Sequence, residues 1–487
     1  MGYISSFLKT VGSPLARVVA CFWLMPRWER IMAGFLLLAA LILGSYKINQ
    51  YYDSKTRLVP ADGGEYREAL VGEIKYLNPI LVNNDAEKSI SGLLFRGLIK
   101  IGVENEILPD LADHWDISSN GQNYTFYIKP GQKFSDGTVI TANDVAYTIS
   151  SIQAPETQSP LEPGLANVGV SVADDLTITL ALPSAYGPFI NNLNFGIIPA
   201  HLSSDEFAKN LIGSGPYKFS KFTRNDNKID EVELLKNENA AEKPYIQKVV
   251  FRLFDQKEDA LKDYSGDKKI NGIFGADTGD SALNYLSSKR LSLIFNLRKP
   301  ALADKEVRRK IIAGEKFDTP LPISLTLLDT PLQKTKADEL KTKLAEQNVQ
   351  LELKTLSAVA LQDALDAKDY ELLLYGFDFG FDRDPYAFWH SSQIDAKNYA
   401  GWADKKSDIL LEDARMLIEP DKRNAKYDQF FQTVASEYLA VFYDPVSYNF
   451  SVKSDSVKGV TKPEGTQAFS RFAKIAEWFV KEKRIRK

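Results

Sequence analysis

Three histidines, one cysteine and 64 acidic residues are what this chain of 487 residues offers for chemistry. His114, His201 and His390 lie far apart, and Cys21 is alone. Neither H-E-x-x-H nor C-x-x-C occurs, so the spacing offers no metal centre, redox pair or disulfide. "GDSAL" (279–283) puts Ser281 in a context that echoes a hydrolase nucleophile block. It sits in mid-chain, and no Asp-x-x-His follows, so it reads as accidental. A G-x-S-x-G elbow and a phosphate-cradling G-x-x-x-x-G-K-[ST] are both missing from the sequence. Carboxylates are everywhere, and no pair stands out as a glycosidase acid and base. The patterns therefore predict no catalytic residue, no cofactor and no metal. Recognition, not bond making, is the expected chemistry.

The stretch best suited to recognition is "LLLYGFDFGFDRDPYAFWHSSQIDAKNYAGW" (372–402). An apolar strand, Leu372 to Tyr375, runs into Asp378, Asp382 and Asp384 amid Phe377, Tyr386 and Trp389. Ligands of open α/β sheets bind beyond strand ends. A carboxylate in a partly dry cleft holds an ammonium better than one in water, because charge interactions strengthen as the dielectric falls. Nearby rings add stacking and cation–π contacts. "NYAGW" (398–402) is expected to form the opposite rim through Asn398 and Tyr399. Plainer readings stay open. Asp-Arg-Asp-Pro is a competent turn, and Asp384 can simply cap a helix starting at Pro385. His390 can be a polar cleft donor, a metal ligand or a structural hydrogen-bonding group.

Positioning such a stretch takes a large scaffold. At this length two or three lobes are expected. Hydrophobic residues at 44% and charged residues at 25% fit a globular protein, and a net charge of −4 argues against a nucleic-acid partner. Short β-type runs ("YTFYI", "LTITLAL", "KVVFRLF", "LSLIFNL", "ISLTLL", "ELLLYGF") alternate with helical ones, which points to α/β lobes. In "DILLEDARMLI", Ile409, Leu410, Ala414 and Leu417 are expected to share a buried helical face. Tyr427, Phe430, Phe431, Val434 and Tyr438 make a second such face, read as core. "NYTFYIKPGQKFSDGTVITANDVAYTI" (123–149) reads as strand, turn, tight Asp-Gly hairpin and a helix opened by a Thr141–Asp144 capping box.

Residues 31–46, "IMAGFLLLAALILGSY", carry no charge and would span roughly 24 Å as a helix. Arg30 and Lys47 can snorkel, and Trp28, Tyr51 and Tyr52 suit an interface. Lys9, Arg17, Arg27 and Arg30 outnumber Glu29 before the run, which predicts a cytoplasmic segment 1–30, a transmembrane anchor 31–46 and an exported remainder. A cleaved signal is the alternative, although no small-x-small site follows the run. Residues 47–66, polar with a Pro and a Gly pair, read as a tether.

"ILPDLADHWDISSNGQNYTFYIKPGQKFSDGTVITANDVAYTISSI" resembles the signature region of the family 5 extracellular solute-binding proteins, the peptide- and nickel-binding receptors of ABC importers. Further pieces follow in the family's order: "YLNPIL" and "LFRGLI", "GSGPYKFSKF", "LIFNLRKPALADKEVRR", "DPYAFWHSSQ" and a final "PEGTQAFSRFAKIAEW". The resemblance covers about residues 67–480. It implies an α/β, periplasmic-binding-protein-like two-lobed clamshell with an extra small α/β domain, hinged so that solute is buried on closure. The implied parts are lobe I at 67–95 and 196–275, the small domain at 96–195, lobe II at 276–440, and a return to lobe I at 441–487 with a C-terminal helix. Peptide-binding relatives use an acid just before a "(D/E)P" pair to take the ligand's α-amino group. Here that pair is Asp384-Pro385 and the nearest upstream acid is Asp382, with Asp378 as substitute. "VNND" (82–85), with Asn83 and Asn84, falls where relatives line the cleft from lobe I. The implied partners are a peptide-like solute, an ABC permease and its ATPase subunits. After Arg309 the sequence departs from the family and passes almost directly to the next strand, which implies a more open cleft. An interaction or sensory module that no longer transports a solute is the alternative from another class, and an unrecognised hydrolase using Ser281 is a third.

Overall fold

The structure is a computed structural model. It describes Phe22 and residues 26–102, 106–225, 228–266, 269–279, 283–378, 380 and 382–487. Cys21, Lys9, Arg17, Ser281 and most of the predicted segment 1–30 lie outside the described residues. The chain divides into two compact units, one built from the N-terminal helix with residues up to Ala61 and Lys481–Lys487, the other from Asp62–Val480.

In the larger unit, apolar alternation and β-branched content build two mixed sheets. The six-stranded sheet runs, in spatial order, Phe450–Val452, Gly272–Phe274, Glu65–Val71, Lys248–Phe254, Lys228–Lys236 and Tyr217–Asn225. Its three strands 272–274, 65–71 and 248–254 are parallel, and the others pair antiparallel. The five-stranded sheet runs Val349–Leu356, Leu321–Leu328, Leu372–Asp378, Tyr285–Phe295 and Ala440–Tyr448. A four-stranded antiparallel sheet, Ala112–Ile117, Asn123–Ile128, Thr177–Ala181 and Gly169–Asp174, forms the smaller domain. It shares one hydrophobic core with the six-stranded sheet, running from Tyr66 through Phe126 to Trp478. The five-stranded sheet has separate cores, around Trp389 and Phe430 in one cluster and Leu325 and Leu372 in the other.

The two large sheets are joined twice. One connection follows Phe274 and enters Tyr285–Phe295; the other is the single residue Asn449 between Ala440–Tyr448 and Phe450–Val452. The connections are tied together, since Gly275 N–H donates to Asn449 O (3.0 Å) and Phe450 N–H to Asn284 Oδ1 (2.8 Å). The strand 440–448 belongs to the five-stranded sheet, so that body extends past the expected boundary at 440, because Tyr285–Phe295 pairs with it.

Local readings of the small domain hold in detail. The capping box at Thr141 is present, with Asp144 accepting from the Thr141 amide at 2.8 Å. Gly137 takes a φ of +96° in the Asp-Gly turn, which a residue with a Cβ resists.

Four further expectations change. The apolar run is the middle of a longer helix, Arg27–Lys55, with an 18-residue window of mean hydropathy 2.0 and no buried residue. The expected tether at 47–66 is ordered. Residues to Lys55 continue the helix because "KINQYY" holds no breaker, and Thr56–Ala61 pairs antiparallel with Lys481–Arg486. The expected C-terminal helix is instead two 3-10 turns, Ala468–Phe472 and Ile475–Glu477, followed by that strand. The turns are pinned by Arg471, whose guanidinium meets Glu68 at 2.7 Å, both side chains fully buried, and lies 3.8 Å from the Phe274 ring centroid. Finally, Ser407, Leu411 and Ala414 are the buried residues of the helix Lys405–Met416, while Ile409 is exposed.

Candidate functional site

Glu87, itself buried, shapes the first wall. Its carboxylate accepts from the amides of Lys75 (2.8 Å), Tyr76 (3.0 Å) and Asn83 (2.8 Å), drawing the loop around Pro79 onto the helix Asp85–Leu94. Asn84 is that helix's N-cap, its Oδ1 accepting from Glu87 N–H at 2.9 Å. Behind the helix, "GSG" lies so close to it that a Cβ at Gly213 or Gly215 would strike the carbonyls of Leu94 and Leu93. This packing leaves a cavity of about 690 Å³, within the range of small-ligand sites. Its walls come from the helix (Lys88), the small domain (Lys100, Lys129), Phe195, the turns at Phe469, and Asp378 with Gly380 from the five-stranded sheet. Elements packed on the six-stranded sheet and the end of one strand of the five-stranded sheet thus face one space. Two links cross near it: Lys289 Nζ meets Asp85 at 2.6 Å, and Gln467 Nε2 donates to Ser288 Oγ at 3.2 Å.

Of the residues singled out in the sequence, Asp378 lines this cavity. Its Oδ1 accepts from Ser288 Oγ (2.6 Å) and Gly380 N–H (3.0 Å), which holds the carboxylate at the strand end. Asn83 and Asn84 line a smaller neighbouring cavity of about 380 Å³ with Glu73, Lys75 and Gln158.

Asp382, the expected ammonium ligand, is engaged elsewhere. Its Oδ1 accepts from Arg423 Nε (2.7 Å) and Nη2 (2.5 Å), and Tyr427 OH and Asn191 Nδ2 approach at 3.4 and 3.5 Å. Arg423 is 2% exposed and also donates to the carbonyls of Leu417 and Ile418. Burial pushes the Asp382 carboxyl up to about 6, and the Arg423 guanidinium offsets only part of that rise. Asp384 caps the turn at Tyr386 N–H (3.0 Å), and its other oxygen meets Arg415 Nε (2.9 Å) and Tyr186 OH (3.3 Å). Arg415 lies 4.0 Å from the Tyr386 ring and 4.7 Å from that of Tyr186. Burial, with Asp384 adding to it, raises the Tyr186 phenol to about 12. Residues 186–191 and the 382–427 region are thereby fastened to each other. A methyl group at Gly187 would collide with the Leu417 carbonyl.

The remaining candidates are packing and staples. Phe377 and Trp389 are core residues, Phe377 against Phe388 at 4.7 Å and Trp389 edge-on to Phe430 at 6.0 Å. Asn398 is fully buried and spends its amide on the carbonyls of Trp389, His390 and Trp402. Tyr399 is buried, its carbonyl accepting from Tyr370 OH, so neither residue forms a rim. The structural option fits His390, whose Nδ1 meets Ser392 Oγ (2.8 Å) and whose Nε2 meets Glu412 (3.2 Å) beneath the Tyr386 ring. Among the described residues no cluster of His, Cys, Asp and Glu could hold a metal ion. Sequence reasoning missed Lys88, Lys129 and Phe469. The one sequence signal near them was "GSG", whose small residues admit the helix.

Residues 106–314 match the family model described as bacterial extracellular solute-binding proteins, family 5 middle. The oligopeptide-binding protein AppA of Bacillus subtilis is 22% identical over 507 residues, covering 85% of this chain and 93% of its own. Among solved structures, the ABC transporter substrate-binding protein CtaP of Listeria monocytogenes aligns with a TM-score of 0.73 at 23% identity, covering 86% of this chain and 99% of that one. B. subtilis AppA in complex with a nonapeptide aligns with a TM-score of 0.66 at 19% identity, over 87% of this chain and 100% of that one. The fold is that of periplasmic binding proteins, with two lobes and an added small domain. Over residues 106–314 the chain is thus similar to the middle region of the family 5 extracellular solute-binding proteins.

Proposed function

We propose that the chain is a membrane-anchored receptor that captures a peptide-like solute between its lobes and presents the closed form to an ABC importer. The observation that carries this reading is the 690 Å³ cavity, walled by elements packed on the six-stranded sheet and closed on one side by Asp378 from the end of a strand of the five-stranded sheet, the two sheets being joined covalently by only two connections. Ligand contacts made from both sides favour the closed arrangement, which is a shift of population and breaks no bond. Asp378 is suited to an ammonium group; Lys88, Lys100 and Lys129 on the other walls are suited to a carboxylate. The helix Arg27–Lys55 is long enough, at roughly 43 Å, to cross a bilayer core of about 30 Å. Its N-terminal flank is richer in cations, which puts the receptor body outside. The solved relative bound to a nonapeptide supports peptide as the solute class.

Scattering from residues 60–487 with and without a peptide mixture tests the reading, together with mass spectrometry of whatever co-purifies. Compaction on adding peptide is expected, and Asp378→Asn should weaken amine-bearing ligands. An unchanged radius with nothing bound would remove the proposal.

A further inference from the structure

The ribbon made by Thr56–Ala61 and Lys481–Arg486 grows directly from the end of the helix Arg27–Lys55. Its register places Arg486 opposite Thr56 and Lys481 opposite Ala61. Two of its cations are committed to the helix end. Arg484 Nη1 meets Asp53 at 2.5 Å, and Lys487 donates to Asp53 O from Nζ (3.3 Å) and to Lys55 O from its amide (2.9 Å). These bonds satisfy helix carbonyls and the helix dipole. They do not account for Arg57, Lys481, Lys483 and Arg486, which are exposed and, among the described residues, pair with no carboxylate. Glu482 is the only acid on either strand.

The distance to a bilayer fits. Residues 47–55 carry the helix roughly 13 Å past the apolar run. The headgroup layer on each side is about 5–7 Å thick. The base of the ribbon therefore stands within about one Debye length (~8 Å) of the lipid phosphates, and a tilt of about 20° brings it nearer. We infer that the basic ribbon is a second membrane contact, docking on the anionic phospholipid headgroups of the exported-side leaflet. Edge-strand cations also block strand-to-strand aggregation, but that role is indifferent to lipid charge. The inference rests on the anchor reading.

The full chain, with Cys21→Ala and Leu58→Cys carrying a fluorophore, is reconstituted in nanodiscs of phosphatidylcholine alone or mixed with phosphatidylglycerol. Leu58 is exposed and opposes Arg484. Quenching by a headgroup-labelled nitroxide lipid is expected to be several-fold stronger with phosphatidylglycerol and to vanish near 1 M salt, where the Debye length is about 3 Å. Arg57→Gln and Arg486→Gln, at the base of the ribbon, should each lower the apposed-to-free ratio roughly fivefold, and Lys483→Gln and Lys481→Gln, further along it, progressively less. The charge-conserving Arg57→Lys and Lys481→Arg should retain it. Equal quenching in the two lipids, or Gln variants that match the parent, overturns the inference while leaving the anchor intact. A chain that does not enter nanodiscs overturns both.

Discussion

Asp382→Asn separates the structural from the ligand-binding role of the residue the sequence favoured most. Burial holds this carboxyl up at about 6, above its ordinary value of 3.8. Between those values the folded protein holds a proton that the unfolded chain releases. Stability from this group is therefore full below about pH 4, falls as pH rises, and is lost above about 6. A shift of about 2 units amounts to roughly 3 kcal/mol. Asparagine is neutral throughout and escapes that loss. It gives Arg423 a weaker acceptor, a deficit of about 1–2 kcal/mol, while the Leu417 and Ile418 carbonyls still hold the guanidinium. Net stabilisation of about 1–2 kcal/mol at pH 7 is expected, reversing to a small loss at pH 4. Urea denaturation of parent and variant across that range reads both ends. A variant less stable by more than 1 kcal/mol at pH 7 would mean that Arg423 attracts the carboxylate more strongly than burial penalises it, and the reasoning fails. A variant of parental stability that no longer binds peptide would return Asp382 to the ligand.

Three further outcomes are expected. Arg471→Met leaves Glu68 fully buried without its counter-ion, so it should destabilise by about 3–5 kcal/mol in denaturation, and Glu68→Gln in the same chain should recover most of that. Lys289→Ala removes a half-exposed link to Asp85 worth at most about 1 kcal/mol, so the ligand-free open population should rise no more than about fivefold by scattering; a larger rise would make this bridge the main latch. Gly187→Val should push residues 186–191 off the Leu417 carbonyl and quicken proteolysis there, and parental cleavage rates would show that the contact is dispensable.

What the sequence made legible was local. Alternation marked the strands 123–128, 248–254 and 372–378, and the Thr141–Asp144 box marked the helix that follows. Those features are encoded within a few neighbouring residues. The ribbon was not, because Thr56–Ala61 looks polar and irregular until Lys481–Arg486 is beside it. Spacing likewise could not show that Asp382 has Arg423 as a buried partner, or that Arg471 reaches Glu68 and holds its segment in 3-10 turns instead of an α-helix. The candidate site was half legible for the same reason. Asp378 lies at a strand end, as strand ends in α/β sheets suggest, whereas Asn398 looked like a rim residue and proved to be an internal staple.

Asn449 alone separates a strand of one large sheet from a strand of the other, while the companion path between Phe274 and Tyr285 is ten residues long. A single residue cannot lengthen, so any swing of one half must turn about a line passing close to its α-carbon, with the longer path bending to follow. That makes Asn449 a pivot pin: replacing it with proline should seize the motion itself, even in a chain whose cavity walls are untouched.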